Sequence, residues 1–201
     1  SLKISIKGLT GGHSGVDIQK GRANANKLMN RLLWELSKDF SIEIATIDGG
    51  SLRNAIPRES VAEIVLDKKK HSELKEAVTK FEKTIKAEHS FTDASLEVKL
   101  ENTVAVRNVM NADFQYKFLR SMYACPNGIY RMTPEIEGLV QTSNNIAKVL
   151  VKEGKLSVQC LTRSSVDTEK TDLANAITSA FELIGASIEF GGNYPGWEPK
   201  P

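Results

Sequence analysis

Cysteine is scarce in this chain. Cys125 and Cys160 are the only two among 201 residues and form no CxxC pair. No disulfide framework can be drawn from them, so free, buried thiols in a reducing, cytoplasmic compartment are expected. Charge of one sign is lacking too: 27 basic against 25 acidic residues leave a net charge of +2. That balance argues against a nucleic-acid binder, which carries a basic excess on one face. No apolar run approaches the roughly 20 residues that cross a bilayer, so no membrane partner is expected. No signal peptide is visible, and Leu2 already lies in a strand-like pattern. Histidine is rare, with three residues that share no ligand spacing for zinc.

What is present is ordinary for a globular domain: 40% hydrophobic and 26% charged residues. The length suits one large domain or two small fused ones. Leu2, Ile4 and Ile6 alternate with Lys3, Ser5 and Lys7, which predicts a strand with one wet face. A glycine-rich turn from Gly8 to Gly15 follows, then Ala25, Leu28, Leu32 and Leu36 recur at helical spacing within about 17–38. Strands are predicted at 42–46 and 61–67, separated by a loop from Asp48 to Glu59. Leu74, Val78, Phe81 and Ile85 mark a second helix, and Leu96, Val98 and Leu100 a fourth strand. This β-α-β-β-α-β order is the split βαβ, or ferredoxin-like, unit.

The second half can be read the same way. A short strand is predicted at 104–106 and a helix at 112–124. A turn at Pro126-Asn127-Gly128 leads to strands at 139–150 and 156–163. The last helix carries Leu173, Ile177, Phe181 and Ile184 behind a capping-box-like pair, Ser164 and Asp167, and Ile188 and Phe190 mark a final edge strand. The expected fold class is α+β: two ferredoxin-like βαββαβ units, 1–102 and 103–191, forming a mostly antiparallel sheet with helices on one face. The proline-rich residues 192–201 read as a tail.

Three segments could carry chemistry. In Gly8-Leu-Thr-Gly-Gly-His-Ser-Gly15, four glycines free the backbone around His13 at a strand-to-helix turn, where the imidazole is either functional or a plain surface turn residue. The loop is neither a P-loop nor a nucleophile elbow, since no Gly-Lys-Ser/Thr follows and Val16 stands where the elbow needs glycine. In Asp48–Pro57, the amide of Asn54 can donate and accept at a peptide or carboxylate, although turn chemistry alone accounts for it. In Leu161-Thr-Arg-Ser-Ser165, Arg163 offers a planar fork suited to a carboxylate, or to a surface salt bridge. His71 and His89 flank the second helix among lysines and glutamates, as solvated residues do.

These segments together resemble one family. The stretch GLTGGHSGVDIQKGRANANKLMNRLL at 8–33 is similar to the start of the lid, or dimerisation, domain of aminoacyl-histidine (Xaa-His, carnosine-type) dipeptidases, within the aminoacylase/carnosinase superfamily of zinc peptidases. GGSLRNAIP, GLVQTSNN, LTRSS and NYPGW resemble later landmarks in the same order, so the resemblance spans essentially the whole chain. It implies a lid inserted into a catalytic domain that binds two zinc ions, closing over a dipeptide substrate. The zinc ligands and general-base glutamate of that family find no match here. The catalytic domain is therefore expected to be absent from these 201 residues, and the chain alone to bind no zinc and hydrolyse nothing. By the same resemblance His13 matches the lid histidine that donates to the developing oxyanion, Asn54 an asparagine that contacts substrate, and Arg163 the arginine that holds the dipeptide's C-terminal carboxylate. A homodimer through the lid is implied as well. The alternative is a stand-alone ferredoxin-like module binding a small metabolite or a protein. An RNA-binding version would need aromatics on exposed strands, and Leu2–Lys7, Leu96–Glu101 and Leu156–Arg163 carry none.

Overall fold

The computed structural model describes residues 1–192. Nine strands and four helices follow in chain order: β1 (Leu2–Lys7), β2 (Gly12–His13), α1 (Ala25–Asp39), β3 (Glu43–Gly49), β4 (Ala55–Ile56), β5 (Ser60–Val65), α2 (His71–Glu88), β6 (Glu97–Asn102), α3 (Ala112–Ala124), β7 (Gly128–Met132), β8 (Val140–Lys152), β9 (Lys155–Ser164) and α4 (Asp167–Glu182). Seven strands form one sheet in the order β6-β1-β5-β3-β8-β7, with β9 also on β8 and every pair antiparallel. β2 and β4 make a separate two-stranded ribbon.

The helices touch one another in the order α2-α1-α3-α4 and form a single layer against the sheet. Inward residues of β1 and β5, Ile4, Ile6, Ala62 and Ile64, meet Leu28, Leu32, Leu33 and Leu36 of α1 in one buried cluster. That cluster continues through Phe118, Leu119, Ile146 and Val149, so the two halves of the chain share a core. The opposite sheet face carries Lys3 paired with Glu101 and Thr46 bonded to Glu63, as the alternation of β1 predicts. A register shift after Ile44 turns both Ile44 and Ile47 inward.

Several expectations are corrected. The first helix does not run from 17: a 3-10 turn at Ile18–Lys20 ends on Gly21 (φ 65°), and α1 starts only after Asn24, whose side chain accepts from Asn26 N and Lys27 N. Residues 104–106 form no strand; Thr103 N and Val106 N are tied instead to the carbonyl and hydroxyl oxygens of Ser1, and Met110 N to Ile44 O. Residues 188–190 form no strand either: Ile188 packs on the core while Phe190 is exposed. The second half is therefore α3-β7-β8-β9-α4 rather than a second βαββαβ unit. α4 lacks the capping box, because Ser164 bonds Thr142 and Val166 N while Val166 occupies the cap. Cys125 is buried and Cys160 only half-buried.

β3 and β7 lie end to end along one edge of β8. Both they and β9 pair with overlapping stretches of β8, so β9 must take the other edge. The gap between β3 and β7 falls at Ile146, and three asparagines fill it. Asn24 and Asn26 donate to Ile146 O, and Asn127 Oδ1 accepts from Ile146 N at 2.9 Å. Side-chain amides thus replace the strand that β8 lacks there.

Candidate functional site: the rim around His13

The loop from Gly8 to Asn24 leaves the end of β1 and returns to the start of α1. Asp93, 1% exposed, closes it: one carboxylate oxygen accepts from Thr10 N and the other from Ala23 N, each at 2.9 Å. Within the loop, β2 pairs with β4, which sets His13 opposite Ala55. Ser14 N donates to Asn54 O at 2.8 Å, so Asn54 sits exposed beside His13. β4 is supported in turn by Asn145, whose amide donates to Ala55 O at 2.8 Å and accepts from Asn24.

The His13 ring is oriented by its own backbone. Gly15 N and Val16 N both donate to Nδ1, each at 3.2 Å. A ring nitrogen facing two N–H donors is the unprotonated one, so the neutral imidazole carries its proton on Nε2. No described residue accepts from Nε2, and the side chain is exposed. Asp17 ties down the main chain of His13, accepting from its N at 2.8 Å and donating back to its O at 2.9 Å. The Lys20 ammonium, 2.7 Å from Asp17, and the His13 amide hold that carboxyl below its ordinary range.

Arg163 arrives from β9. Cys160 faces the helix layer, meeting Cys125 at the end of α3, so alternation turns Arg163 to the helix-free face with its cross-strand partner Ser143. A Cβ added at Gly15 would stand 3.3 Å from Arg163 Nε and 3.2 Å from the His13 ring, so glycine lets both side chains flank one point. Arg163 Nε is buried without a hydrogen-bond partner, as is Ser14 Oγ. An orphaned buried donor is costly.

The structure thus brings together His13, Asn54 and Arg163, which lie far apart in sequence. Asp17, Asp93 and Asn145 were not among the candidates. Asp17, four residues after His13, is legible afterwards as turn chemistry. Asp93 and Asn145 act over 70 to 90 residues, where local sequence gives no signal. His71 and His89 stand at opposite ends of α2. Among the described residues no three His, Cys, Asp or Glu could hold a metal ion. No described helix is long and apolar enough to cross a membrane. The NYPGW segment lies outside the described residues.

A family described as the peptidase dimerisation domain matches residues 4–93. Residues 4–93 are thus similar to that family. A curated relative, the cytosol non-specific dipeptidase of Escherichia coli (strain K12), is 35% identical over 199 residues, covering 99% of this chain and 41% of its own length. The solved aminoacylhistidine dipeptidase of Vibrio alginolyticus superposes with a TM-score of 0.96 at 38% identity, again over 99% of this chain and 41% of the other. The chain thus spans 41% of the length of each relative.

Proposed function

We propose that this chain is a peptidase dimerisation domain, the lid of a zinc-dependent dipeptidase acting on aminoacyl-histidine dipeptides. The zinc centre belongs to a catalytic domain of the same protein that these residues do not supply. The lid contributes three groups to the substrate. His13 donates from Nε2 to the carbonyl oxygen of the scissile bond as negative charge gathers there. Arg163 receives the dipeptide's C-terminal carboxylate on its fork. Asn54 contacts the substrate through its amide. Two such chains pairing through this domain complete the assembly.

The observation that carries this reading is the meeting of His13, with a free Nε2–H, and Arg163, with an unpartnered Nε, across one glycine. A surface turn histidine would need no such backbone arrangement, and a surface salt bridge would give the guanidinium a carboxylate. The twelve ion pairs of the described residues include none to Arg163.

The test is hydrolysis of aminoacyl-histidine dipeptides by the full-length protein with zinc. His13→Ala should lower kcat by about 10²–10³. Arg163→Lys, which keeps the charge but loses the fork, should act mainly on KM. An active protein indifferent to His13→Ala would return that residue to a turn role. An inactive full-length protein would favour the stand-alone ferredoxin-like binding module.

A further inference from the structure

We infer that Asp17 is a positioning residue that sets the tautomer of His13. This rests on the role proposed for His13 but is tested apart from it. Both polar groups of the His13 main chain are engaged by the same residue, its N–H by the Asp17 carboxylate and its C=O by the Asp17 amide. The chain between them is forced into a tight reversal, and the amides inside that reversal, Gly15 N and Val16 N, are the two aimed at Nδ1. The carboxylate is held in turn by Lys20 at 2.7 Å and Arg22 at 3.5 Å, and the same Arg22 nitrogen donates to Gly11 O at 2.6 Å. A side chain at Gly12 would strike this clamp, its Cβ falling 2.4 Å from Arg22 and 2.5 Å from the Asp17 carboxylate. Gly12 is therefore glycine so that Asp17 can close.

The consequence is chemical. With Nδ1 occupied by two donors, Nε2 must carry the proton and can only donate. Were the turn to open, the ring would divide between its two tautomers, and the Nδ1–H form presents Nε2 as an acceptor, useless to a developing oxyanion.

The experiment is ¹⁵N spectroscopy of the three histidine rings in this chain at about pH 8.5, well above the ordinary histidine pKa of about 6.5. In the wild type His13 should show a single tautomer, with Nδ1 bare and Nε2 protonated. In Asp17→Ala its two nitrogen shifts should move toward each other, while His71 and His89 stay in place as internal references. Asp17→Asn, which keeps one oxygen on the His13 amide, should restore most of the wild-type pattern. An Nδ1–H tautomer in the wild type, an unchanged His13 in Asp17→Ala, or an Asn variant no better than Ala would each overturn the inference. If Asp17→Ala also shifts His71 and His89 by unfolding, exchange of the wild-type His13 amide proton decides. Retardation of tenfold or more supports the Asp17 acceptor, and exchange at the open-chain rate overturns it. A dipeptidase indifferent to His13→Ala would leave the tautomer result standing, so the two readings fail separately.

Discussion

Replacing Asp93 by asparagine should destabilise the domain far more than an isosteric change at a loop residue suggests. The Asp93 carboxylate is buried, and both oxygens are used, one on Thr10 N and one on Ala23 N. Asparagine offers one oxygen and one NH₂. Whichever way the amide turns, one backbone N–H loses its acceptor and faces a second donor. A hydrogen bond to a charged acceptor contributes about 1.5–3 kcal/mol, and an orphaned buried donor costs about 1–3 kcal/mol. These overlap, so we expect a loss of roughly 2–4 kcal/mol. At about 2–4 °C per kcal/mol for a domain of this size, the midpoint of thermal unfolding should fall by roughly 5–15 °C. Urea titration followed by circular dichroism would measure the loss, with the slope unchanged, since the same surface is exposed on unfolding. Asp113→Asn is the control: its partner Lys117 lies 2.6 Å away, but the Asp113 side chain is 71% exposed, and the change should stay within about 0.5 kcal/mol. A loss below about 0.5 kcal/mol for Asp93→Asn would refute the view that this carboxylate closes the His13 loop.

Other expectations follow from the same packing. Gly8→Ala should destabilise strongly, because at φ 76° its Cβ would fall 2.0 Å from Ser95 O. Gly154→Ala, at φ 74° with open space around it, should cost only about 1–2 kcal/mol of backbone strain; comparing their urea midpoints separates clash from strain. Glu88 joins α2 to α1 through both nitrogens of the Arg31 fork, and that hydrogen bond holds its carboxyl below the ordinary glutamate range. Its folded pKa lies below its unfolded one, so this stabilisation is present above the unfolded value near pH 4.3 and disappears as pH falls through the depressed folded value. Glu88→Gln should therefore cost no more than about 1 kcal/mol near neutral pH, the pair being part-exposed, with the difference vanishing in acid; a gap that widens on acidification would contradict this. Phe118→Ala should cost about 3–5 kcal/mol by denaturant titration, as expected for a ring that is 1% exposed.

The elements that sequence pattern revealed are those whose burial repeats along the chain. β1 alternates in residue type, and α1 and α2 each bury a stripe at helical spacing, so periodicity was enough. β7 escaped because Ile129, Tyr130 and Met132 are all exposed, leaving no alternation to read. β2 and β4 escaped because each is two residues long and exists only through the other. The strands predicted at 104–106 and 188–190 had suitable residues but settled elsewhere: Thr103 N and Val106 N bond Ser1, and Ile188 finds its burial against the core without a strand. At the site, the glycines around His13 were a legible sign of an unusual turn. Their specific purpose was not, because Gly12 makes room for Asp17 and Gly15 for Arg163, contacts set by the tertiary fold.

The position of Arg163 explains why the site belongs to the whole chain and not to the family-matched part alone. Residues 4–93 contain His13, Asn54, Asp17 and Asp93, yet the guanidinium comes from β9. It reaches the loop because β8 is longer than the strand beside it: β3 pairs only with Val149–Val151, and the rest of β8 runs on past it, carrying β9 with it. That overhang would leave a stretch of β8 backbone unpaired at Ile146 were it not for Asn24, Asn26 and Asn127. Asn24 is also the cap of α1, and through Asn145 it bears on the Ala55 carbonyl behind His13. The amides that complete the sheet are therefore the same ones that brace the ribbon holding the imidazole. Substituting Asn24 by alanine should weaken helix α1, the β8 overhang and the His13 ribbon together, and an activity loss without a stability loss in that variant would show that the three are not coupled in this way.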